Sequence, residues 1–295
     1  MQPYWLNKEL FPFESKWIEV EGNQLHYIDE GKVKGETILF MHGTPEWSFG
    51  WRDLVKELKN SYRCIAFDLL GFGLSDKPHN GDYTCEAHYK RLEKFIQQLN
   101  LKNFNLIAND FGGGISLPYV INHPENVKKI MLFNTWMWSL KSDKHYSSPA
   151  KVMNTFLGKI MYLNFNFPVN IIMPAAFGDK KKLTKAIHAH YKNALPNAAS
   201  RVGAYSFTKE LMSASEWWQS NWNQLDKIAN KPFLIFWGMK DSFVPPKELE
   251  KWKSKLPTAK VVVYKDAGHF VQEEKPEEMV GEIRLFLGEE LASSY

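Results

Sequence analysis

The 295-residue sequence is poor in cysteine, in net charge and in long hydrophobic runs. Two cysteines are too few for a disulfide scaffold, and 18 glycines with 15 prolines exclude a collagen-like chain. A formal charge of +4 together with 15% aromatic residues argues against disorder. The longest apolar stretches, such as 130–133 and 171–177, fall short of the roughly 20 residues that span a bilayer. What remains is a globular chain long enough for one large domain or one domain with an insertion.

The first residues and the basic residues carry no targeting or binding pattern. Lys8 and Glu9 interrupt the apolar residues of segment 1–13, so we expect neither a signal peptide nor a membrane anchor. The basic run 180–182 lacks interleaved aromatics and fits a solvated loop rather than a nucleic-acid surface. With Cys64 and Cys85 read as reduced thiols, we predict a soluble cytoplasmic protein. Its expected partners are a small apolar substrate and water, with no nucleic acid and no membrane, and its oligomeric state is left open.

Short apolar runs alternate with helical patterns along most of the chain. Residues 16–21 and 24–30 alternate apolar with polar around Gly22-Asn23, which predicts an antiparallel hairpin. Continuously apolar runs are typical of parallel strands buried on both faces; they are 37–41, 63–67, 104–108, 129–133, 232–237 and 260–264. Helical patterns lie at 47–59, 83–99, 113–122, 246–255 and 276–287. The predicted class is α/β, with a mostly parallel eight-stranded sheet and helices on both faces.

A long gap separates the apolar run that ends at Phe133 from the one that begins at Pro232. Its content is mostly helical in pattern and rich in aromatics, so we interpret residues 136–211 as an inserted helical cap. The core domain is then 1–135 together with 212–295. Since ligands of such sheets bind at the carboxyl ends of the strands, the cap is expected to roof the site.

The segment Leu106-Ile-Ala-Asn-Asp-Phe-Gly-Gly-Gly114 runs from a buried strand through Asp110 into a glycine-rich helix start. Its small residues Ala108, Gly112 and Gly113 fit the tight strand-to-helix turn called a nucleophile elbow. The alternative at this point is that Asp110 merely caps the following helix, because aspartate is a favoured N-cap residue.

Two further residues at strand ends favour the elbow. Asp241 follows one late strand and His269 follows the last. Chain order is therefore nucleophile, acid, histidine, which is the order of α/β-hydrolases and not of chymotrypsin-like or subtilisin-like enzymes. His188 and His190 are two residues apart and would point to different faces of a helix, so we expect no metal site.

A loop after the third strand, His42-Gly43-Thr44-Pro45, completes the pattern. In this fold such a loop supplies one backbone N–H of an oxyanion hole, here that of Thr44, and the residue after the nucleophile, Phe111, supplies the other. No G-x-S-x-G motif is present, and Gly71-Phe-Gly-Leu-Ser-Asp76 lacks the third glycine of a dinucleotide loop, so no cofactor is expected.

Several of these motifs together resemble the haloalkane dehalogenases of the α/β-hydrolase superfamily, over nearly all of the chain outside the cap. They are His42-Gly-Thr-Pro45, Phe67-Asp-Leu-Leu-Gly-Phe-Gly-Leu-Ser-Asp-Lys-Pro78, Asn109-Asp-Phe-Gly-Gly113, Gly238-Met-Lys-Asp241 and Asp266-Ala-Gly-His-Phe-Val-Gln-Glu273. Some are shared with epoxide hydrolases. Asn134, where another branch of the family keeps its acid, is not ionisable, which favours Asp241.

The resemblance implies a hydrolase that works through an aspartate nucleophile. Asp110 would displace a halide from saturated carbon to give an alkyl ester, and His269, oriented by Asp241, would direct water at that ester. The family usually has tryptophan after the nucleophile to hold the halide, and often Asn or Glu where Thr44 stands. Because Phe111 has no donor, we expect another indole to hold the halide; the candidates are Trp47, Trp136 and Trp138.

Two alternatives stay open. In an epoxide hydrolase, cap tyrosines would donate to the opening ring oxygen, and the available residues are Tyr146, Tyr162, Tyr191 and Tyr205. The chain could also be a non-catalytic relative that binds a small apolar molecule under its cap, although a strained elbow and a paired histidine argue against that.

Overall fold

An eight-stranded sheet forms the centre of the computed structural model, which describes residues 3–32 and 34–289. The strands are β1 (Lys16–Val20), β2 (Asn23–Gly31), β3 (Thr37–Met41), β4 (Arg63–Phe67), β5 (Phe104–Asn109), β6 (Val127–Phe133), β7 (Phe233–Gly238) and β8 (Lys260–Tyr264). Their spatial order is β1-β2-β4-β3-β5-β6-β7-β8. Pairs β1/β2 and β2/β4 are antiparallel and the remaining pairs are parallel. The predicted fold class is confirmed.

The opening hairpin turns one residue earlier than the Gly22-Asn23 pair predicted. Glu21 and Gly22 are its two central residues, with φ of 56° and 74°, and Val20 pairs with Asn23 across it. Positive φ at both central positions matches the right-handed twist of the flanking strands, which is why glycine takes the second position.

The strand at the far edge, β8, is less buried than its sequence predicted. Its apolar residues gave the pattern of a strand covered on both faces, yet Val263 is exposed and Val261 and Val262 are half-buried. The reason is its position, because β8 pairs only with β7 and forms the edge of the sheet. The inner strands β5 and β7 are buried at every residue, as expected.

Helices cover both faces of the sheet and fill the long connection between β6 and β7. They are α1 (Arg52–Leu58), α2 (Cys85–Gln98), α3 (Phe111–Asn122), α4 (Lys144–Met153), α5 (Phe156–Phe165), α6 (Met173–Ala176), α7 (Lys185–Ala194), α8 (Val202–Ser213), α9 (Ser215–Trp222), α10 (Pro246–Lys255), α11 (Val271–Glu274) and α12 (Pro276–Leu287). A single π-helical turn, Pro168–Ile172, precedes α6.

Helix starts follow capping chemistry more closely than hydrophobic periodicity alone can show. The helix expected from residue 83 begins at Cys85, because the Thr84 hydroxyl accepts from the Ala87 N–H as its N-cap. The helix expected from residue 47 consists of a 3₁₀ turn, Ser48–Trp51, followed by α1. In contrast, α10 and α12 have the predicted bounds.

The connection between β6 and β7 is mostly helical, as its pattern predicts, and we call residues 136–211 the cap segment. The predicted boundary at residue 211 falls inside α8, which continues to Ser213. The following helix, α9, packs against α3 of the core. The division into cap and core domains stays a prediction.

Two further features bear on the sequence-based expectations. Cys64 and Cys85 are buried free thiols. Among residues 3–32 and 34–289, no helix combines the length and the hydropathy that crossing a bilayer would require.

Candidate active site

Asp110 occupies a strained turn between β5 and α3. Its backbone has φ of 52° and ψ of −130°, a conformation that residues other than glycine rarely adopt. The glycines that follow are needed for close approach, since a Cβ on Gly113 would lie 2.1 Å from the Thr135 hydroxyl oxygen and one on Gly112 would lie 2.4 Å from the Met41 carbonyl oxygen. The sequence pattern of a tight strand-to-helix turn therefore corresponds to the observed backbone.

The two carboxylate oxygens of Asp110 have different neighbours. Oδ2 accepts from the Thr44 backbone N–H at 2.8 Å, and the Phe111 N–H also donates to this carboxylate. Oδ1 lies 3.7 Å from Nε2 of His269. The side chain accepts no N-cap hydrogen bond from the second or third residue of α3, Gly112 or Gly113, so the alternative of a simple helix cap does not describe its contacts. The structure thus brings together Asp110, His269 and both amides expected to form an oxyanion hole.

Asp241 holds the other side of the His269 ring. Its Oδ2 lies 2.7 Å from Nδ1 of His269 and accepts from the Asn134 amide at 2.8 Å. Its Oδ1 accepts from the backbone N–H groups of Phe243 and Val244, at 2.7 and 3.0 Å. The hydrogen bond to Asp241 keeps a proton of the imidazole on Nδ1 and orients the ring so that Nε2 faces Asp110.

Burial and charge act in opposite directions on these groups. Burial lowers the pKa of His269, but the charge of Asp241, its hydrogen bond and the charge of Asp110 together raise the pKa to about 9. Burial raises the pKa of Asp110, while His269 and the amides of Thr44 and Phe111 oppose that rise. The negative charges of Asp241 and Asp110 therefore stabilise a positive charge on His269, and that charge in turn opposes part of the rise in the pKa of Asp110.

His42 fixes the loop that carries the Thr44 amide. Its Nδ1 donates to the Gly43 carbonyl at 2.7 Å, and its Nε2 accepts from the Leu69 N–H at 2.9 Å. Gly43 has to be a glycine, because a Cβ there would lie 2.2 Å from Oδ2 of Asp110. The loop 42–44 is therefore fixed at His42 by hydrogen bonds and at Thr44 by the bond to the Asp110 carboxylate.

The site contains a third buried carboxyl group, that of Glu46, which the sequence patterns did not indicate. Its Oε1 accepts from the Gln272 amide at 2.6 Å, and its Oε2 has no hydrogen-bond partner among the described residues. Burial raises the pKa of Glu46 to about 8. The positive charge of His269 lowers this pKa, and the negative charges of Asp110 and Glu273 raise it further. The only signal in the sequence is its place directly after Pro45, next to the predicted oxyanion-hole loop.

A second buried pair next to Glu46 was also missed. Arg52 donates to both carboxylate oxygens of Glu273, at 2.5 and 2.7 Å, and the Tyr191 hydroxyl donates to the same carboxylate. Gln272 and Glu273 follow His269 closely in sequence. Their hydrogen bonds to Glu46 and Arg52 therefore connect the loop that carries His269 to the segment from Glu46 to the start of α1.

A cavity of about 170 Å³ opens onto Asp110 and His269. Its walls combine residues from the ends of the core strands with residues of the cap segment, and almost all of them are apolar. The cap contributes, among others, Ala150, Met153, Ile172 and Phe207. This arrangement matches the expected placement of the site beneath the segment between β6 and β7.

Of the three tryptophans considered as leaving-group donors, the structure brings only Trp136 to the described cavity wall. Its indole N–H is buried and has no hydrogen-bond partner among the described residues, and its ring lies 5.1 Å from that of Phe111. Trp47 stacks on Phe49 instead, and Trp138 packs edge-on against Trp222 and Trp252.

Of the four tyrosines considered as donors to an epoxide oxygen, two line the cavity and two do not. Tyr146 and Tyr162 line the cavity. The Tyr162 hydroxyl donates to the Ala204 carbonyl at 2.9 Å, whereas the Tyr191 hydroxyl donates to Glu273 and that of Tyr205 to a backbone carbonyl of the cap segment. Within residues 3–32 and 34–289, no cluster of His, Cys, Asp and Glu side chains could hold a metal ion.

A sheet of this topology, with a strained aspartate turn and a histidine and an acid at neighbouring strand ends, defines an α/β-hydrolase. A family model described as alpha/beta hydrolase fold matches residues 36–276. Haloalkane dehalogenase 2 of Mycobacterium tuberculosis is 32% identical over 277 residues, which cover 93% of this chain and 95% of the relative. The chain belongs to the haloalkane dehalogenase family of α/β-hydrolases, and it is a hydrolase of that type.

Other relatives broaden the chemistry of the family. Cis-3-alkyl-4-alkyloxetan-2-one decarboxylase of Shewanella oneidensis is 33% identical over 292 residues, covering 95% of this chain and 90% of that protein. Among solved structures, haloalkane dehalogenase DbeA from Bradyrhizobium elkani superposes with a TM-score of 0.83 at 22% identity, covering 93% of this chain and 99% of that chain. The last likeness concerns the fold.

Proposed function

We propose that the protein hydrolyses haloalkanes to alcohol and halide through an alkyl ester on Asp110, with His269 and Asp241 as the other two members of a catalytic triad. One observation carries the proposal: the two carboxylate oxygens of Asp110 have different neighbours. Oδ2 is 2.8 Å from the Thr44 N–H and Oδ1 is 3.7 Å from Nε2 of His269. One oxygen accepts from the Thr44 amide, while the other lies beside the base.

The first step needs no base, because an ionised carboxylate is already a nucleophile. Oδ1 of Asp110 bonds to the carbon that bears the halogen, the carbon–halogen bond breaks, and the halide leaves with the bonding electrons. The apolar cavity supports this step, since it takes up the alkyl chain and strips water from the carboxylate.

The second step hydrolyses the ester. Esterification removes the negative charge of Asp110, one of the charges that raise the pKa of His269, so the imidazole becomes a better base for water at neutral pH. His269 takes a proton from water as the oxygen attacks Cγ of Asp110. The negative charge that develops meets the Thr44 amide at Oδ2 and the Phe111 amide at the same carboxyl group, and each such donor commonly contributes ~3 kcal/mol. The intermediate then collapses: the bond between Cγ and the oxygen that carries the alkyl group breaks, and the leaving alkoxide takes the proton from His269 and departs as the alcohol. The carboxyl group of Asp110, which now contains an oxygen from water, releases its proton to solvent.

The departing halide requires a donor in an otherwise apolar wall. We assign this role to the indole N–H of Trp136, which lines the cavity, is buried and has no other partner among the described residues. An anion that leaves into a cavity without donors would meet a steep desolvation cost. This assignment replaces the tryptophan that the family usually has at the position of Phe111.

A second candidate reaction is the opening of a β-lactone, which is supported by the decarboxylase relative and by the missing donor at Phe111. Attack of Asp110 on the ring carbon that carries the 4-alkyl group would break the ring C–O bond and leave a carboxylate on the neighbouring carbon. Loss of carbon dioxide from that carbon would expel Asp110 and form an alkene. The strained ring drives the opening, and the leaving carboxylate stays attached to the substrate.

Product analysis separates these reactions. The purified protein would be incubated with 1-bromohexane, with a cis-3-alkyl-4-alkyl β-lactone and with styrene oxide as the epoxide control. We expect bromide and hexanol from the first. An alkene and carbon dioxide from the lactone alone would replace the primary proposal by the second candidate, and a diol alone would indicate an epoxide hydrolase. If none of the three compounds is converted, all three proposed reactions are contradicted.

A further inference from the structure

The outer surface of the cap segment is unusually apolar. Among the described residues, ten large hydrophobic side chains are classed as exposed, and five of them lie between residues 152 and 171. These five are Val152, Phe156, Leu157, Phe165 and Ile171. Phe156 is 82% exposed. Several large apolar side chains exposed close together in sequence are typical of a surface that contacts a partner or a membrane. We call Val152, Phe156, Leu157 and Ile171 the cap outer face; Phe165 is not included, because nine residues of helix place it about 180° around α5 from Phe156.

Helix α5 has large apolar side chains on its solvent-exposed side, where a surface helix usually has polar ones. Gly158 and Tyr162, four residues apart, form its buried side. Phe156, Leu157 and Ile160 lie around the opposite side, by the helical periodicity of 3.6 residues per turn, and the first two are exposed. The helix therefore presents hydrophobic side chains to the outside.

The charge of the molecule is concentrated in the same segment. Residues 136–211 contain eleven basic and three acidic side chains, while the rest of the chain is net acidic. Lys151 and Lys159 flank the junction of α4 and α5, and neither has an ion-pair partner in the described part of the chain. An apolar helix face bordered by unpaired lysines is the composition of an interfacial helix that lies on anionic lipid.

The same elements separate this face from the candidate active site by a single layer of chain. Val152 is exposed, whereas its neighbour Met153 lines the cavity. Ile171 is exposed, whereas its neighbour Ile172 lines the cavity. A hydrophobic molecule in contact with the cap outer face is thus only one residue layer from the cavity.

We propose that the cap outer face docks on the surface of an anionic lipid bilayer, with its apolar side chains among the lipid headgroups and its lysines against their phosphates. A second copy of this chain is a poorer occupant, because pairing two such faces would bring two strongly basic segments together. The docking needs no spanning helix. It would supply the cavity with apolar molecules that partition into the membrane.

The test is co-sedimentation of the full chain with phosphatidylcholine vesicles, prepared with and without about 30% phosphatidylglycerol. We expect binding to the anionic vesicles and at least about tenfold weaker binding to the neutral ones, with a decrease as salt is raised from about 0.1 M to about 0.5 M. The assay involves no turnover, so its failure and the failure of the proposed function are distinguishable.

Two double variants test the two contributions separately. Phe156→Ser with Leu157→Ser is expected to weaken binding about tenfold or more. Lys151→Glu with Lys159→Glu is expected to weaken binding to anionic vesicles by at least as much, and to leave the weak binding to neutral vesicles unchanged. Because all four side chains are exposed, thermal melting curves should match those of the parent protein.

Matched controls come from the exposed surface outside the cap segment. Leu285→Ser on α12 is the apolar control, and Lys102→Glu with Lys265→Glu is the charge control. Both should bind like the parent. The proposal is overturned if the parent fails to bind anionic vesicles, if the cap variants bind as well as the controls, or if Phe156→Ser with Leu157→Ser abolishes a dimer in sedimentation velocity runs without any vesicle binding.

Discussion

The two sides of the candidate active site differ in how their polar groups are bonded, and we call them the sheet wall, which includes the residues that support His269 from behind, and the cap wall. At the carboxyl ends of β6 and β7, both oxygens of Asp241 accept two hydrogen bonds each when the His269 ring is counted, and Asn134 bonds on both ends of its amide. On the cap side, Trp136 has an indole N–H without a partner among the described residues, surrounded by apolar side chains. The comparison separates a wall that is built to hold charges in place from one that is built to exclude water.

This difference assigns distinct roles to the two walls. Chemistry that moves charge needs donors fixed before the reaction begins, and the backbone of a buried sheet provides them. Substrate choice needs a surface that can vary in shape without disturbing those donors, and the cap wall provides that. Changes on the sheet side should therefore abolish a step, whereas changes on the cap side should shift preference.

The largest effect is expected at Asp241. Asp241→Asn would disturb the proton position on His269 and should slow hydrolysis of the alkyl ester by about 10³-fold or more. Steady-state halide release, compared with the first-turnover burst, measures it. The matched control is Asp266→Asn in the neighbouring strand-end loop, after β8, whose carboxylate is 62% exposed and pairs with Lys275. A parent-like rate in Asp241→Asn would contradict the role given to the sheet wall.

The second effect concerns stability and pH. Burial raises the pKa of Glu46 in the folded protein to about 8, well above its usual value of 4.5. Between these values the folded state keeps a proton that the unfolded state releases, so the free energy of unfolding falls as pH rises from about 4.5 to about 8. Glu46→Gln removes this penalty and should raise the free energy of unfolding at pH 8 by roughly 2–4 kcal/mol, with little change near pH 4.5.

Urea unfolding across that pH range checks the Glu46 prediction. The control is Glu250→Gln, a similar change at a carboxylate that is 66% exposed on α10, and it should leave the curve where it is. Parallel pH profiles for Glu46→Gln and the parent would show that Glu46 is ionised in the folded protein.

The third effect sharpens the comparison on the cap side. Trp136→Phe removes the one indole N–H of the described cavity wall and should reduce kcat for bromide release about 10- to 100-fold. The same change at Trp138, which lies away from the cavity, should have little effect. Equal loss in both variants would indicate a packing effect and would remove Trp136 as the halide donor.

The smallest effect is expected for side chains that only shape the cavity. Ile172→Ala enlarges it and should shift kcat/KM from shorter towards longer alkyl bromides by a few-fold, about tenfold at most. Ile171→Ala, one residue away on the exposed side, should leave the chain-length profile unchanged. A profile that moves with Ile171 and not with Ile172 would contradict the described inner and outer faces.

Much of the sheet wall could be predicted because its signals are local. A buried strand followed by Asp110 and glycines has few interpretations, and the chain order of Asp110, Asp241 and His269 agrees with strand ends that meet at one edge of a parallel sheet. The bounds of β3, β4, α10 and α12 followed from apolar periodicity and turn residues in the same way.

The rest depends on contacts between distant parts of the chain. Three tryptophans were equivalent in the sequence, and only packing determines that Trp136 reaches the described cavity wall. Glu46 and Gln272 are separated by 226 positions, so no local pattern announces their hydrogen bond. The exposure of β8 likewise depends on whether a further strand pairs with it, since a run of valines has the same pattern at the edge and in the middle of a sheet.

The most direct test of the account is the covalent intermediate itself. His269→Gln would be exposed to 1-bromohexane and digested, and the peptides analysed by mass spectrometry. We predict a stable hexyl ester on Asp110, because displacement needs no base while hydrolysis does, and no such ester when Asp110→Ala is combined with His269→Gln. An unmodified Asp110, or a hexyl group on another residue, would contradict the assignment of Asp110 as the nucleophile.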